Sequence, residues 1–212
     1  HRTFDPRVLH RVLRRPVLGG VTFSMTAVAL ATSGVTAMLA LYLQARFAFD
    51  AARTAWMFSL IGLTSSAIQL GLVHTLVTRY GERRIAITGI GLLALSLLAI
   101  ALAPTPAVLR GVLVLYAVGF ALTGPSALSL VSRAAAEREQ GMVIGVVQSL
   151  GALARVVGPM AAGVALGRLG AGAPMVAGSI VCALASVYMW HHLRPKSRTG
   201  EVGGPAALPV GD

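Results

Sequence analysis

Charged residues are scarce in this 212-residue chain, where Asp, Glu, Lys and Arg make up 12% and hydrophobic residues 56%. Acidic residues are especially few. Only seven are present, and none lies within a long apolar stretch. A soluble domain of this length needs more charged surface than that. The composition therefore argues against an ordinary soluble protein.

Cysteine is also nearly absent. The single Cys182 permits no disulfide within the chain, and it carries no information about the redox compartment. The first fifteen residues are polar and basic, and they lack the pattern of a secretory signal peptide. Because residue 1 is histidine rather than methionine, we expect the chain to be a piece of something longer.

What the sequence does contain is a set of long apolar runs. A helix needs ~20 residues to cross a hydrocarbon core of ~30 Å, and each run is long enough for this. The sequence therefore predicts an all-α membrane protein with six transmembrane helices and the lipid bilayer as its surroundings. The runs are Pro16 to Ala45, Thr54 to Thr78, Ile85 to Leu109, Gly111 to Ser132, Gln140 to Gly167 and Leu169 to Leu193.

Three regions follow from this pattern. Residues 1–15 are predicted to be a cytoplasmic linker with a short basic amphipathic helix, or alternatively a plain solvated linker. Residues 16–193 form the six-helix transmembrane domain. Residues 194–212 are rich in Gly and Pro, which predicts a disordered cytoplasmic tail.

The basic residues are distributed unevenly between the two sides of the membrane. The formal net charge is +11, which in a soluble protein would suggest a nucleic-acid partner. Here the basic residues lie at the ends of the runs, thirteen on the side of the termini and four on the other side. The positive-inside rule then puts both termini in the cytoplasm, and no nucleic-acid partner is predicted. The preference for arginine, alanine and glycine hints at a GC-rich bacterial genome and hence at the bacterial inner membrane.

The runs also differ in their polar content. The third and sixth contain few polar residues, so we expect them to face lipid. The other four carry the Ser, Thr, Gln, Gly and Pro that mark helix contacts or water-filled cavities. Two interior helices and one outer helix therefore occur twice, and because three is odd the two units have opposite topology. Such inverted repeats are typical of secondary transporters.

Arg155 interrupts the fifth run. It lies about 21 Å along a helix that begins near Gly141, close to the middle of the membrane. An arginine there is unfavourable by ~2.5–3.5 kcal/mol on translocon-based scales. Gln148 and Pro159 share its helix face, which is small and polar, so we expect this face to point to the protein interior. Three roles stay open: locking helix packing through carbonyls, acting in substrate or proton coupling, and snorkelling to the interface.

Two groups of candidate site residues follow. Mid-membrane glycines and prolines permit close packing or kinks, and polar side chains on the interior helices can line a cavity. The packing and kink candidates are Gly124, Pro125, Gly151, Gly158, Pro159 and Gly163. The candidates for lining a substrate cavity are Thr36, Ser65, Ser66, Gln69, Gln148 and Arg155.

Two short motifs carry a resemblance to a known family. The segment VTRYGERR matches the cytoplasmic loop pattern D-R-x-G-R-R at Arg79, Gly81, Arg83 and Arg84. Thr78 stands where the acid is expected, and Glu82 stands where a base is common. The segment GPMAAG, residues 158–163, is similar to a G-P-x-x-G-G pattern in the fifth helix of efflux transporters, with alanine replacing one glycine.

On these motifs the chain resembles the C-terminal half of a major facilitator superfamily transporter, and most closely the bacterial drug-efflux proton antiporters. The resemblance implies half of a twelve-helix fold. It also implies a partner, the N-terminal six-helix half, which is missing here. The function it implies is efflux of drugs or other small molecules, coupled to protons and proceeding by alternating access. It implies no enzymatic activity, no cofactor and no metal.

Two alternatives stay open. A self-contained six-helix protein could dimerise into a transport pathway. An intramembrane protease could pair Ser126 in the fourth run with His191 or His192 after the sixth. The second alternative is weak, because the nucleophile motif Gly-x-Ser-Gly is absent and the two histidines lie at the membrane edge.

Overall fold

The computed structural model describes residues 15–193, so the predicted amphipathic segment before Arg15 and the predicted disordered tail lie outside the described residues. Within this range the secondary structure is entirely helical, which confirms the all-α prediction. Seven α-helices and one 3-10 turn, Glu137–Glu139, follow one another along the chain. The helices are α1 Pro16–Phe47, α2 Ala51–Gly71, α3 Val73–Tyr80, α4 Glu82–Leu102, α5 Pro106–Ala134, α6 Gln140–Leu169 and α7 Ala173–His192.

Five of these helices are individually long and apolar enough to cross a membrane, namely α1, α4, α5, α6 and α7. The helices α2 and α3, bent by 51° at their junction, are together long and apolar enough to form a sixth span. The second run was expected to be one helix, and the structure instead breaks it at Leu72, directly after Gly71. Glycine weakens helices, and the space beside Gly71 is open, so no packed neighbour holds the two halves straight.

The helices begin and end close to the arginines. Asp50 caps α2, and its Oδ1 accepts a hydrogen bond from the Arg53 N–H at 2.7 Å. Thr105 caps α5, which begins at Pro106, four residues before Arg110. Arg53 and Arg110 flank the apolar runs in the sequence, and the structure places Arg53 in the first turn of α2 and Arg110 at the start of the second turn of α5. We call the end of the bundle where α2 and α5 begin the distal end, and the end where α1 begins the proximal end.

The packing of the helices shows two related three-span units. The helix α1 packs chiefly against α6 and α7, and α5 packs chiefly against α2 and α4. The helices α4 and α7 pack against each other. The first unit comprises α1 to α4, and the second comprises α5 to α7. Exchanging them matches α1 with α5, α2 with α6 and α4 with α7. The exchange turns the α1–α6 contact into α5–α2 and the α1–α7 contact into α5–α4, and it leaves the α4–α7 contact unchanged. This exchange agrees with the predicted inverted repeats.

Close backbone contact holds α4 against α5. A methyl group on Gly119 would lie 2.9 Å from the backbone nitrogen of Leu93 and 3.0 Å from the carbonyl oxygen of Gly89. Real side chains essentially never come this near, so only glycine fits. Small residues of this kind let membrane helices approach closely enough for extensive van der Waals contact.

The outer helices have two different faces. One face of α4 is fully buried against α5 and α7, and α4 contributes nine buried residues to the core. Its other face exposes Leu95, Leu98 and Leu102. The exposed face of α7 is similarly apolar at Ile180 and Leu184. The open faces of α2 and α6 also carry exposed polar side chains, namely Ser66, Gln69, Gln148 and Arg155, beside exposed apolar residues such as Leu63 and Met160.

Candidate functional site

A cavity of about 280 Å³ lies between α1, α2, α5 and α6, the four spans that carry the polar residues. We call it the central cavity. Three of the helices contribute neutral polar side chains to its lining. The fourth, α6, contributes the only charged side chain among the lining residues. The lining consists of Met25, Val28, Ala29, Thr32, Gln69, Phe120, Thr123, Gly124, Pro125 and Arg155.

Arg155 supplies that charge. Its side chain is exposed to the cavity, and it makes no ion pair or side-chain hydrogen bond with any residue between 15 and 193. The guanidinium lies beside Gly151, since a methyl group there would be 3.5 Å from Arg155 Nη2. The side chain therefore runs back towards the proximal end, as helical side chains generally do. Pro159 has no N–H, so the carbonyl oxygen of Arg155 also lacks its usual helical donor.

Gln69 and the Gly124–Pro125 pair lie across the cavity on α2 and α5. Gln69 and Pro125 also line a second cavity of about 390 Å³ next to the bend at Leu72. His74, Ser126 and Ser129 contribute polar groups to this second cavity. The hydroxyl of Ser126 is buried and has no hydrogen-bond partner within the described residues. Polar lining therefore continues from the central cavity towards the proximal end.

The other predicted cavity residues lie elsewhere. Ser65 is buried and donates to the carbonyl oxygen of Ala117 at 3.3 Å, so it joins α2 to α5. Ser66 is exposed on the open face of α2. Thr36 lines a separate narrow cavity of about 40 Å³. Gln148 is exposed on the same face of α6 as Arg155, two turns nearer the proximal end, and does not line the central cavity.

The predicted packing glycines differ strongly in their surroundings. A methyl group on Gly158 would overlap Ser33 Oγ and lie 2.5 Å from the carbonyl oxygen of Leu30, so α1 and α6 touch there. Gly124 and Gly163 have open space where a side chain would project. The helices α5 and α6 both continue without a break through their internal prolines.

Several lining residues were missed from the sequence. Phe120 precedes Gly124 by one helical turn, and Thr32 precedes Thr36 by one turn. Helical spacing from the predicted residues could therefore have found both. Met25 and Val28 carried no such signal, because an apolar residue in an apolar helix looks the same whether it faces a cavity or a packed neighbour.

The residues of the loop motif surround the turn between α3 and α4. Gly81 has a φ of 83°, which glycine adopts without strain. Arg83 donates to the carbonyl oxygen of Trp190 at 3.5 Å, and its guanidinium lies 5.8 Å from the centre of the Trp190 ring. Arg79 lies 5.6 Å from the ring of Tyr80. Arg84 is exposed. The motif thus joins the start of α4 to the end of α7.

Two ion pairs also lie at the proximal end. Glu82 forms an ion pair with Arg133 at 2.9 Å and accepts a hydrogen bond from Ser129 Oγ at 3.2 Å, which links α4 to α5. Arg15 forms an ion pair with Glu139 at 2.9 Å, which links the start of α1 to the 3-10 turn. These carboxylates hold the helix ends together and lie far from Arg155 along the helices.

The sequence match to a known family covers most of the chain. Residues 21–209 match the Major Facilitator Superfamily. The chain belongs to this superfamily. Its members are membrane transporters, and the multi-pass helical architecture described above is half of their fold. The family resemblance inferred from the two motifs is therefore confirmed at the level of the superfamily.

The relatives that match share one name. Major facilitator superfamily domain-containing protein 10 from Mus musculus is 28% identical over 197 residues, covering 93% of this chain and 42% of that protein. The Homo sapiens protein of the same name is 34% identical over 130 residues, covering 61% of this chain and 28% of that protein. The chain thus spans less than half the length of these relatives, and neither of them is a bacterial drug-efflux antiporter.

A solved structure has the same architecture. The crystal structure of the human organic anion transporter MFSD10 (TETRAN) superposes with a TM-score of 0.73 at 28% sequence identity. The superposition covers 80% of this chain and 40% of the human chain.

Proposed function

We propose that this chain is the C-terminal half of a secondary active transporter that moves small organic anions across a membrane by alternating access. The observation that carries this proposal is the position of Arg155. It lies halfway along the 30-residue helix α6, lines the central cavity and has no acid partner in the part of the chain that the structure describes. Arginine is effectively always charged in proteins, so this charge requires a counterpart.

The surroundings of Arg155 favour an anionic substrate. The polar groups nearest to it in the cavity lining are neutral, namely Gln69, Thr32 and Thr123. An unpaired charge away from bulk water is costly, and an anion that enters the cavity relieves that cost. Met25 and Phe120 add apolar surface, which suits a carboxylate or sulfonate carried on an apolar body. The description of the human structural neighbour as an organic anion transporter supports the same substrate class.

The open faces of the interior spans support a second half as partner. Ser66, Gln148 and Arg155 are exposed on α2 and α6, and polar groups of this kind are expensive in contact with lipid. A second six-helix unit would cover them and enclose the central cavity. The matched relatives are more than twice as long as this chain, which leaves room for such a unit.

The proposal also covers the direction of transport, the coupling ion and the membrane in which the protein lies. We assign efflux coupled to protons, in a bacterial inner membrane with both termini cytoplasmic. The GPMAAG segment supports efflux by its resemblance to drug-efflux antiporters, and the excess of arginine at the proximal end supports the orientation. Since the described spans hold no acid in their interior, the coupling carboxylate belongs to the N-terminal half.

Transport measurements in proteoliposomes test this function. The protein as its gene encodes it is reconstituted, and uptake of radiolabelled benzoate and naphthalenesulfonate is compared with uptake of tetraphenylphosphonium, a cation. We expect the anions to move, faster under an imposed proton gradient, and the cation not to move. Transport of the cation by the wild-type protein, or anion uptake that persists at the wild-type rate in an Arg155→Ala variant, would refute the proposal. Uptake by residues 1–212 alone would favour the dimerising six-helix alternative instead.

A further inference from the structure

Two arginines line the same cavity at the distal end of the bundle. Arg53 is the third residue of α2, and Arg110 is the fifth residue of α5. Both are exposed, and both line a cavity of about 330 Å³ between the starts of the two helices. The rest of the lining is apolar and partly aromatic, and consists of Phe49, Trp56, Met57 and Pro106. We call this the distal cavity.

Neither guanidinium is neutralised by an acid. Among residues 15–193, no ion pair or hydrogen bond reaches the guanidinium group of Arg53 or of Arg110. Asp50 is the nearest carboxylate along the chain, and its Oδ1 accepts the backbone N–H of Arg53 at 2.7 Å as the cap of α2. At the proximal end, by contrast, Arg15 and Arg133 each form an ion pair with a glutamate. The two ends therefore differ in whether such arginines are neutralised.

The local backbone adds to the positive charge. The first turn of a helix carries partial positive charge from its unpaired N–H groups, and cations are unfavourable there. Arg53, the third residue of α2, lies in such a first turn, and Arg110 lines the same cavity from the start of the second turn of α5. An arrangement that only anchored the helices at the membrane surface would not need this convergence. An anion held in this cavity could neutralise both guanidinium groups.

We propose that the distal cavity is an anion-binding site, which takes a carboxylate, sulfonate or phosphate group attached to an apolar body. Guanidinium groups bind such oxyanions through paired hydrogen bonds, and aromatic rings accept the apolar part. Trp56 is 72% exposed, so its ring is free to make this contact. The anionic group comes either from a dissolved organic anion or from the headgroup of a phospholipid in the adjacent leaflet.

The distal cavity is separate from the central cavity and goes beyond the proposed function. Gln69 follows Arg53 by sixteen residues on α2, which corresponds to about 24 Å along the helix axis. A ligand small enough for one cavity therefore does not reach the other. Binding at the distal cavity requires no transport, so it can be measured when the central cavity is disabled.

The experiment uses the protein as its gene encodes it, in an Arg155→Ala background, so that binding at the central cavity does not contribute. Calorimetry measures the affinity for 1-naphthalenesulfonate in nanodiscs of pure phosphatidylcholine. Native mass spectrometry measures retention of phosphatidylglycerol after exchange into detergent. The test variants add Arg53→Ala with Arg110→Ala, or Arg53→Gln with Arg110→Gln. The control adds Arg168→Ala, which removes a distal arginine that does not line the cavity.

We expect the double variants to weaken naphthalenesulfonate binding at least tenfold and the control to change it less than twofold. Loss of phosphatidylglycerol retention alone would also support the site and would identify a lipid headgroup as the ligand. If both measurements match the control in a double variant that elutes as a single folded species, the proposal is wrong. Failure of the transport assay above would leave this result unaffected, because binding is measured directly.

Discussion

The backbones of Gly34 and Gly158 touch where α1 crosses α6. A methyl group on Gly34 would lie 2.7 Å from the carbonyl oxygen of Gly158, and one on Gly158 would lie 3.1 Å from the backbone nitrogen of Gly34. Lipid tails are as apolar as leucine, so tight packing rather than hydrophobicity joins such helices. Because Arg155 precedes Gly158 by three residues, this crossing also fixes the position of the charge in the central cavity.

Gly158→Ala should therefore destabilise the protein by about 1–3 kcal/mol, the usual range for overpacking. Thermal unfolding of the purified protein in nanodiscs measures the effect. Gly163→Ala on the same helix is the matched control, because the space beside Gly163 is open and its stability should stay close to that of the wild type. Equal melting temperatures for the two variants would show that the α1–α6 crossing is looser than described.

The neighbouring serines Ser65 and Ser66 should respond differently to the same substitution. Ser65→Ala removes the hydrogen bond to Ala117 and should lower stability by ~0.6 kcal/mol, with an upper bound of ~1.7. Ser66→Ala removes no such bond and should have little effect on stability. Unfolding in increasing sodium dodecyl sulfate distinguishes the two. A larger loss for Ser66 than for Ser65 would contradict the orientation of α2.

Arg155→Ala should leave membrane expression intact and abolish or strongly reduce transport. Insertion becomes easier by ~2.5–3.5 kcal/mol when the charge is removed, so a failure to insert is not expected. Arg155→Lys should restore little activity, because a compact ammonium does not reproduce the donor geometry of guanidinium. Uptake is normalised to the amount of protein in the membrane. Wild-type uptake by the alanine variant would show that the arginine is dispensable.

Glu82→Gln should weaken the contact between α4 and α5 at the proximal end. The Arg133 side chain is 74% exposed, so solvent screens the pair and the loss should stay below about 1 kcal/mol. The loss should also shrink as salt rises, because salt screens an exposed pair. Melting temperatures at low and high ionic strength measure this. Glu137→Gln, which breaks no ion pair among the described residues, is the control, and an equal shift in both variants would count against the pair.

The orientation can be tested by labelling single cysteines from one side of the membrane. Cys182 is fully buried and can be replaced by alanine to give a background without reactive thiol. We expect a membrane-impermeant maleimide added outside intact cells to label Arg110→Cys and to leave Arg138→Cys unlabelled until the cells are opened. Labelling of the Arg138 position from outside would invert the proposed topology.

The spans, the repeats and the polar helices could be predicted from the sequence because each depends on local composition. A run of about 20 apolar residues must become a helix in lipid, since no water is present there to bond its backbone. Arg155 and Gln69 could be selected for the same reason, because a polar group at that depth needs a protein partner. The motif residues around Gly81 and Gly158 identified the superfamily, since each motif is contiguous in the chain.

Only the tertiary structure decided which of these residues share a space. Ser65 and Gln69 lie one turn apart on α2, yet one bonds to α5 and the other lines the central cavity, because helix rotation and crossing depend on partners distant in sequence. The bend at Leu72 could not be predicted from the sequence, because no proline lies near it. The convergence of Arg53 and Arg110 joins residues 57 positions apart, and only the packing of α2 against α5 creates it. The composition of a helix determines which of its residues must be buried, whereas the packing geometry determines which neighbouring residues cover them.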